Sequence, residues 1–253
     1  MKVTIITVVR NAVGKIEQTI QSVLAQNYND LEYIIIDGQS SDGTLGVIDR
    51  YRSCIDVVVS EPDDGLYDAL NKGVKITTGE WIGIMNAGDV FVDNDVIRRI
   101  FDEPELISEV DVIYGDAISV DGGFEQYVSS KSDISEMNYG PAYRHGASFV
   151  RSVIHKSNLF DLGKKGLLSF ALDYEQMYRM YKKGLRFRRV PFPIMKYELR
   201  GLSTTSPFKV TYYNYLIPHD MKCNPVIKLF LFWLTLWRGA KAIILRFYVR
   251  RRM

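Results

Sequence analysis

The sequence predicts an α/β fold with a mostly parallel central sheet flanked by helices. Three observations support this. Short β-branched apolar runs alternate with segments whose apolar residues have helical spacing through residues 1–116, the links between them are short, and no repeat interrupts the order. Strands that alternate with helices favour parallel pairing with right-handed crossovers. A chain of 253 residues can also bury a sizeable core.

The first half of the chain begins with the apolar run 3–9, which stops at Arg10-Asn11. This run is short and β-branched, so it indicates a buried strand rather than a signal peptide. Asp42 is a candidate cap for a helix that starts at Leu45. Further helices are predicted at 13–26, 45–51, 67–75 and 95–101, and further strands at 33–36, 57–59, 81–85 and 110–114.

The pattern changes after residue 116. Asp121-Gly122-Gly123 predicts a β-hairpin over 118–128. A helix is expected at 173–183, strands at 187–190 and 195–199, and a mobile polar loop at 201–206. We therefore expect one domain over 1–205, made of a first half at 1–116 and a second half at 117–205. An amphipathic helical tail is expected over 206–253.

Acidic residues follow the predicted strands of the first half. Asp63, Asp64 and Asp89 each come after a strand, and ligands of α/β sheets bind beyond the carboxyl ends of the strands. Carboxylates gathered at one edge repel each other unless they share a cation or hydrogen-bond donors. A metal-bound nucleotide diphosphate with its ribose suits such an edge.

Several other classes of site are disfavoured. The turn at 7–14 lacks the glycine pattern of dinucleotide-binding proteins, and the chain has no P-loop. Two cysteines and three histidines show no metal-ligand spacing, and this cysteine usage suits a reducing cytosol. Residues 1–221 hold 24 basic and 30 acidic side chains, so nucleic acid is a poor partner for the predicted cleft.

A series of ordered motifs resembles the family-2 inverting glycosyltransferases, which have the GT-A fold. Among them the chain is most similar to the enzymes of colanic-acid-type exopolysaccharide biosynthesis. The resemblance runs from residue 3 to about 205. It implies that residues 1–205 are a catalytic domain, with a nucleotide-sugar-binding half at 1–116 and an acceptor-side half at 117–205. It rests on the following segments: IITVVRN at 5–11, SVLAQN at 22–27, IIDGQSSDGT at 35–44, SEPDDGLYDALNKG at 60–73, MNAGD at 85–89, HGASF at 145–149, LDYE at 172–175 and GLSTT at 201–205.

The resemblance implies roles on the donor side. Asp37 would accept a hydrogen bond from the nucleotide base, with a UDP-sugar as the default donor, and Asp63 would face the ribose or diphosphate. Lys72 would meet phosphate, although a solvated helix lysine is an equal alternative. The nucleotide-sugar contacts implied in full are Val8, Asn11, Asp37, Asp63, Lys72 and Asn86.

The resemblance also implies a metal and a base. Asp89 matches the last carboxylate of the family's D-x-D-type motif, whose earlier positions are Asn86 and Gly88 here. It would bind Mg²⁺ or Mn²⁺ together with diphosphate oxygens and water. Asp173 matches the catalytic base, with Glu175 as second choice. His145 and Ser203 are possible acceptor or phosphate contacts; His145 has a structural role as an equal alternative.

The tail carries eight Lys or Arg and no acid over residues 222–253. Its apolar run at 229–237 is too short to span a bilayer. An interfacial helix with Trp233 and Trp237 in the headgroup zone would suit an anionic membrane surface. A helix docked on the protein's own core is the alternative. We expect a cytoplasmic protein that binds peripherally to the inner face of the cytoplasmic membrane.

These expectations describe a glycosyltransferase (EC 2.4) of the hexosyl or N-acetylhexosaminyl type. It would move a sugar from a nucleotide donor to a hydroxyl of a lipid-linked or saccharide acceptor with inversion, in bacterial surface polysaccharide biosynthesis. Two alternatives stay open. The replaced acids at Asn86 and Gly88 favour a non-catalytic nucleotide-sugar-binding scaffold at the membrane, and a nucleotidyltransferase has a similar sheet but usually a basic glycine-rich phosphate loop.

Overall fold

A computed structural model describes residues 1–199 and 206–250, and gives only the backbone for 104, 106 and 238–250. Its centre is one nine-stranded sheet with the strand order β3-β2-β1-β4-β8-β6-β9-β5, and β7 pairs with β6. The strands are β1 (Val3–Val9), β2 (Leu31–Asp37), β3 (Val57–Ser60), β4 (Trp81–Ile84), β5 (Val90–Phe91), β6 (Val112–Asp121), β7 (Phe124–Val128), β8 (Ser148–Arg151) and β9 (Phe187–Glu198).

The first four strands form the parallel part of the sheet. β1 pairs in parallel with both β2 and β4, and β2 pairs in parallel with β3. β8 is antiparallel to β4 and to β6, and β9 is parallel to β6. The helices are α1 (Ile16–Leu24), α2 (Thr44–Asp49), α3 (Leu66–Ile76), α4 (Val96–Phe101), α5 (Pro104–Ile107), α6 (Ser152–Lys156), α7 (Lys165–Leu168), α8 (Leu172–Lys182), α9 (Pro207–Leu216) and α10 (Pro225–Arg250).

Helices cover both faces of the sheet and create two cores. On one face α1, α2 and α4 pack their apolar sides on the sheet, for example through Ile20 and Ile48. On the other face α3, α8 and α9 do the same, through residues such as Val74 and Leu172. Helix α9 lies beyond the predicted boundary at residue 205, yet its Tyr213 and Leu216 are buried in the second core.

The helix and strand predictions hold in order, with three local differences. α1 begins at Ile16 rather than 13. The predicted cap of α2 is wrong: the N-cap is Gly43 (φ 96°), and Asp42 instead accepts a bond from the Thr44 backbone N–H at 3.0 Å. The two short strands predicted near 187–199 form the single strand β9. The loop predicted at 201–206 lies, except for its last residue, outside the described residues.

The carboxyl ends of β1, β2 and β4 meet at one edge of the sheet. Val9 of β1 lies beside Asp37 of β2 in the register, and the Ala87 N–H donates to the Val8 carbonyl at 3.3 Å. The segments that follow these three strands are therefore neighbours, as the carboxyl-end rule for α/β sheets requires.

Candidate active site

Asp37 is the most deeply buried acid at this edge, with none of its surface exposed. Its Oδ2 accepts hydrogen bonds from the Ser40 N–H at 3.0 Å and the Ser60 hydroxyl at 2.7 Å. Its Oδ1 is buried and has no partner in the described part of the chain. An unpaired buried acceptor costs about 1–3 kcal/mol, so this oxygen suits a donor from a ligand, such as the ring N–H of a base.

Asn11 ties the end of β1 to the loop that follows Asp37. It has a φ of 50°, a left-handed conformation that Asn tolerates better than most residues. Its backbone N–H donates to the Ser40 hydroxyl and its side-chain oxygen accepts from the Ser41 N–H, both at 2.8 Å. Val8 reaches the same edge only through its main chain, because its side chain is buried in the core.

Asp63 packs against Gly38, the residue that follows Asp37. A Cβ at Gly38 would collide with the Asp63 carboxylate, so only glycine permits this approach. The other Asp63 oxygen accepts from the Gly65 N–H at 2.7 Å, just before α3 begins. Asp63 is therefore packed against the residue that directly follows Asp37.

Lys72 braces the same loop from α3. Its ammonium donates to the Pro62 carbonyl at 2.7 Å, and it pairs with Glu61 at 2.8 Å and Asp68 at 3.5 Å. A phosphate contact would require the ammonium to exchange one of these partners. The positive charge is in the right region, but the contacts in this structure are made within the loop and its helix.

Asp89 and Asn86 present two side-chain oxygens in the loop after β4. The Asp89 main chain is held by the Thr19 hydroxyl at 2.8 Å, and the Asn86 amide lies 3.5 Å from Asp89 Oδ2. The Asn86 Oδ1 is buried without a partner among residues the structure describes. Carboxylate and amide oxygens are the ligands that Mg²⁺ and Mn²⁺ accept, so this pair fits a divalent cation that keeps waters or diphosphate oxygens as further ligands.

The electrostatics of Asp89 favour a nearby cation. Burial raises the pKa of Asp89 to about 7, while the Asn86 hydrogen bond and the Arg144 charge act in the opposite direction. No group of three or more His, Cys, Asp or Glu that could hold a metal occurs within the described residues. The protein alone would thus supply few metal ligands, and waters or diphosphate oxygens would supply the others.

Asp173 lies in the first turn of α8 and is half-buried. Its Oδ1 accepts from the Tyr174 N–H at 2.8 Å, and the Tyr67 hydroxyl lies 3.4 Å from the same oxygen while donating to the Phe170 carbonyl at 2.6 Å. Tyr67 belongs to the first turn of α3, directly after the Asp63 loop. One tyrosine therefore links the acid of the acceptor half to the donor half.

Glu175, two positions after Asp173, has a different environment. Its carboxylate is buried and pairs with Lys164 at 2.7 Å and Arg179 at 3.2 Å. Both partners neutralise its charge, so it serves the packing of α8. Asp173, by contrast, is half-buried and has the Tyr67 hydroxyl of α3 3.4 Å from its Oδ1.

The segment 144–146 joins Asp89 to Asp173. Gly146 is pressed against the end of β4, since a Cβ there would lie 2.7 Å from Met195 Sδ and 3.3 Å from the Ile84 carbonyl. The Arg144 guanidinium lies 4.3 Å over the Tyr197 ring and donates to the Tyr197 hydroxyl at 2.8 Å. Its charge acts on Asp89.

His145 follows Arg144 and faces the other way. Its ring meets the edge of Phe160 at 5.5 Å. Burial lowers the pKa of His145, and the Asp173 charge and a side-chain hydrogen bond with Gln176 oppose that shift. Arg144 and His145 thus lie between the two acids to which the metal and base roles are assigned.

Contacts between described residues connect the segments that carry nine of the ten predicted site residues, and Ser203 lies outside the described residues. The roles of all ten stay predictions. Arg144 and Tyr67 are among the residues at this edge of the sheet that were not predicted. Arg144 precedes the HGASF motif and Tyr67 is part of the PDDGLYDAL run, but neither motif indicates these contacts. Neither contact follows from local spacing.

Curated relatives carry glycosyltransferase names. One, from Mycobacterium bovis, is a PGL/p-HBAD biosynthesis glycosyltransferase that is 28% identical over 173 residues, which are 67% of this chain and 62% of the relative. Another, from Rickettsia typhi, is described as an uncharacterized glycosyltransferase and is 26% identical over 217 residues, 81% of this chain and 66% of the relative. The chain therefore spans less than two thirds of these relatives.

Solved structures share the fold at low sequence identity. S. aureus TarS 1–349 in complex with UDP-GlcNAc has a TM-score of 0.68 at 17% identity, covering 90% of this chain and 69% of TarS 1–349. The mannosyltransferase PcManGT from Pyrobaculum calidifontis, in complex with GDP-Man and Mn²⁺, has a TM-score of 0.66 at 16% identity, covering 91% and 68%. The expected GT-A fold is confirmed. A family model for glycosyl transferase family 2 matches residues 4–166, and the chain belongs to that family.

Proposed function

We propose that this protein transfers a sugar from a nucleotide-diphosphate donor to a hydroxyl of a lipid-linked or saccharide acceptor, with inversion, in the biosynthesis of a bacterial surface polysaccharide. The observation that carries the proposal is the contact chain between the donor and acceptor halves. Asp63 lies against the Asp37 strand end, and Tyr67, one helical turn on, reaches Asp173. The TarS and PcManGT complexes with UDP-GlcNAc and GDP-Man support a nucleotide-sugar donor.

On the donor side, Asp37 would accept a hydrogen bond from the base through its unpaired Oδ1. A uracil ring N–H is the default partner. Asn11 would shape the loop that covers the base, and Asp63 would face the ribose or diphosphate. These groups orient the donor and leave the chemistry to the residues after β4 and at α8.

Asp89, with the Asn86 amide oxygen, would hold Mg²⁺ or Mn²⁺. When bound, the ion stabilises negative charge on the departing diphosphate. The Mn²⁺ in the PcManGT complex supports a divalent metal in this fold. Arg144 acts on the same region, because its guanidinium is held by Tyr197 with its charge close enough to affect Asp89.

Asp173 would act as the general base. It would take the proton of the acceptor hydroxyl while that oxygen attacks the anomeric carbon from the face opposite the diphosphate. A single displacement without a covalent intermediate inverts the configuration, so one base and a stabilised leaving group are sufficient. His145 would help to position the acceptor or the base beside which it is buried.

Single-residue variants at the two acids test the mechanism. Donor turnover, measured as nucleoside diphosphate release, is expected to fall by about 10²–10⁴-fold in Asp173→Asn, the usual contribution of a general base. Asp89→Ala should lose activity and Mn²⁺ dependence together. Glu175→Gln is the control in the same helix, and we expect it to lower stability and to keep most of the activity.

Near-wild-type rates in both Asp173→Asn and Asp89→Ala would refute the mechanism.

The scaffold alternative is favoured by the single carboxylate near Asn86, and it makes a different prediction. Calorimetry would then record donor binding by the wild-type protein, with no nucleoside diphosphate released in the presence of any acceptor tested.

We also propose that α10 attaches the protein to an anionic membrane surface. The side of the helix that meets the protein includes Leu231, which is buried, and Phe232, whose ring lies 5.6 Å from Phe208. Large apolar side chains are exposed at helical spacing elsewhere on it: Val226, Leu229, Phe230, Trp233, Leu236 and Trp237. Exposed aromatic residues and a cationic tail are the features of interfacial helices.

None of the helices in the described residues is long and apolar enough to cross a membrane.

Flotation with anionic liposomes tests the proposed contact between α10 and the membrane surface. The wild-type chain should float, and the double variant Phe230→Ser with Trp233→Ser should remain at the bottom of the gradient. Tyr139→Ser removes another aromatic side chain that is 83% exposed, so it serves as the control. Failure of the wild-type chain to float would refute attachment and the proposed place at the inner face of the cytoplasmic membrane.

A further inference from the structure

A small pocket lies next to the candidate active site, on its acceptor side. It has a volume of about 190 Å³ and opens between the segments 128–131 and 141–144, with Gly115 and Ala117 of β6 also among its lining residues. This is smaller than the roughly 300–1,000 Å³ of pockets for drug-sized ligands. One sugar ring, or its charged substituent, is a suitable occupant.

Two lining residues connect the pocket to the reacting groups. Arg144 lies in its wall, and its charge acts on Asp89. Tyr143 lies in the same wall, and the charge of Asp173 acts on its hydroxyl. The pocket wall also continues directly into His145 and Gly146, and Gly146 packs against the Ile84 carbonyl at the end of β4, the strand that precedes the Asp89 loop.

The charge of the lining is positive. Lys131 and Arg144 contribute cations, and the described lining residues include no carboxylate. One acid, Glu136, is paired with a lining cation. Glu136 pairs with Lys131 at 3.0 Å, and both side chains of that pair are about half exposed. This ion pair is therefore open to solvent, where such pairs contribute little, and an anionic ligand can compete for the ammonium.

Asp116 lies behind the wall and presents no free charge to the pocket. It is buried and takes two bonds from Arg189, at 2.7 and 2.9 Å, as well as bonds from the Ser130 N–H at 2.8 Å and hydroxyl at 2.7 Å. The Tyr127 hydroxyl also donates to it. This buried network neutralises Asp116 and fixes the loop 129–131.

The two walls are also fixed to each other. The Lys131 N–H donates to the Ala142 carbonyl at 2.7 Å, and the Tyr114 hydroxyl donates to the Lys131 carbonyl at 3.0 Å. Tyr143 stacks on Tyr114 with the ring centroids 4.6 Å apart. A ligand would therefore meet preformed main-chain walls, which reduces the ordering cost of binding.

We propose that this pocket binds the acceptor through an anionic group, a carboxylate or a phosphate on the acceptor sugar, with Lys131 and Arg144 as its ligands. The inference rests on the proposed function and adds the chemical class of the acceptor. Charge-assisted hydrogen bonds from ammonium and guanidinium groups are stronger than neutral ones. A neutral sugar would gain less here, so the pocket selects acceptors by charge.

Ligand-observed NMR on the full chain tests this with three probes: glucuronate, glucose 6-phosphate and glucose. We expect saturation transfer to at least one of the anions and none to glucose at the same concentration. The stronger of the two anions distinguishes a carboxylate from a phosphate acceptor. Lys131→Gln and Arg144→Gln should each weaken anion binding about tenfold or more, the loss expected for one charge-assisted hydrogen bond.

Arg98→Gln is the matched control. Arg98 is also a half-exposed cation in a surface ion pair, with Asp95 at 3.0 Å, but it lies on α4 and does not line the pocket. Anion binding should be unchanged in this variant. The proposal is overturned if glucose binds as well as the anions, if no probe binds, or if Lys131→Gln behaves like Arg98→Gln.

Binding of UDP and GDP, measured by calorimetry on the same variants, separates this inference from the proposed function. Nucleotide binding that survives in Lys131→Gln, with no preference for anionic sugars in the wild type, would overturn only the acceptor class. Absence of binding for both nucleotides would instead count against the donor side, and the proposed function would fall with it.

Discussion

At the scale of single residues, the candidate site depends on how closely Asp63 approaches the chain after Asp37. Gly38 follows Asp37 in the chain and contacts Asp63 in space. A Cβ on Gly38 would overlap the Asp63 carboxylate and lie 3.3 Å from Arg10 Cδ. The approach is possible because glycine has no side chain. If Asp37 and Asp63 bind the donor as proposed, Gly38 is a positioning residue for the Asp63 carboxylate.

Gly38→Ala should therefore raise the KM for the nucleotide-sugar donor by about tenfold, the effect of losing one good hydrogen bond to a charged group. The added methyl group would displace the Asp63 carboxylate and strain its 2.7 Å bond to the Gly65 N–H. Steady-state kinetics with varied donor would measure the change. Gly14→Ala is the control in a neighbouring loop, because a Cβ there meets nothing within 4 Å. Equal KM values for the two variants would contradict the prediction.

At the scale of elements, helix α3 connects the loop of Asp63 to the core. Gly73 packs against the sheet so tightly that a Cβ would lie 2.7 Å from Ile6 Cγ2 and 3.3 Å from Ile36 Cγ1. Both isoleucines are fully buried in the parallel strands β1 and β2. The contact sets the distance between α3 and the strands whose ends carry the site.

Gly73→Ala is expected to destabilise the protein by about 1–3 kcal/mol, the usual cost of overpacking a core, partly offset by about 1 kcal/mol of better helix propensity. Urea unfolding followed by circular dichroism would detect a lower midpoint. Gly46→Ala in α2 is the matched control, since a Cβ at Gly46 meets nothing within 4 Å. That variant should be neutral or more stable, and a stable Gly73→Ala protein would show that α3 can shift outward at little cost.

The elements that the sequence predicts least well are those shaped by distant contacts. The sequence predicts two strands where the structure has the single strand β9, which runs through Pro191 and Pro193 although proline is usually excluded from a strand interior. The strand is continuous because its pairing with β6 shifts register between Tyr114 and Ala117. α1 starts later than its apolar spacing indicates. Residues 13–15 form a turn in which the Lys15 and Ile16 N–H groups donate to the Ala12 carbonyl at 2.9 and 3.0 Å.

At the scale of the whole molecule, the parallel half of the sheet and one part of the site were predictable for the same reason. Buried parallel strands have continuous apolar runs, and their carboxyl ends gather the residues that follow, including Asp37 and Asp89. The insertion of β8 between β4 and β6 has no local signal. The positions of Arg144 and Tyr67 depend on that insertion and on the packing of α8, so they could not be predicted.

The opposite edge of the sheet carries a buried acid with a different task. Glu32 of β2 accepts hydrogen bonds from the Thr4 hydroxyl at 2.5 Å and from the Thr78 N–H and hydroxyl at 2.9 and 2.5 Å, and Lys2 lies 3.5 Å away. It thus joins β1, β2 and the turn before β4. Burial alone would raise the pKa of Glu32, but the Thr4 and Thr78 hydrogen bonds outweigh it and lower the pKa from its ordinary 4.5 to about 2.

This shift predicts how stability depends on pH. A carboxylate whose pKa is lower in the folded than in the unfolded protein stabilises the fold above pH 4.5, and the contribution is lost as pH falls from 4.5 towards 2. The contribution is at most about 3.5 kcal/mol, since the pKa falls from 4.5 to about 2 and each pKa unit corresponds to about 1.4 kcal/mol. Urea unfolding at a series of pH values should show this loss in the wild type, and Glu32→Gln should have lower stability at pH 7 and a flatter curve of stability against pH below 4.5.

Glu125→Gln is the control. It removes a half-exposed acid paired with Lys196, so it should change stability by only about 0–1 kcal/mol and keep the wild-type dependence of stability on pH. If Glu32→Gln also keeps the wild-type dependence of stability on pH, then β1, β2 and the turn before β4 are held together by packing and not by the Glu32 carboxylate.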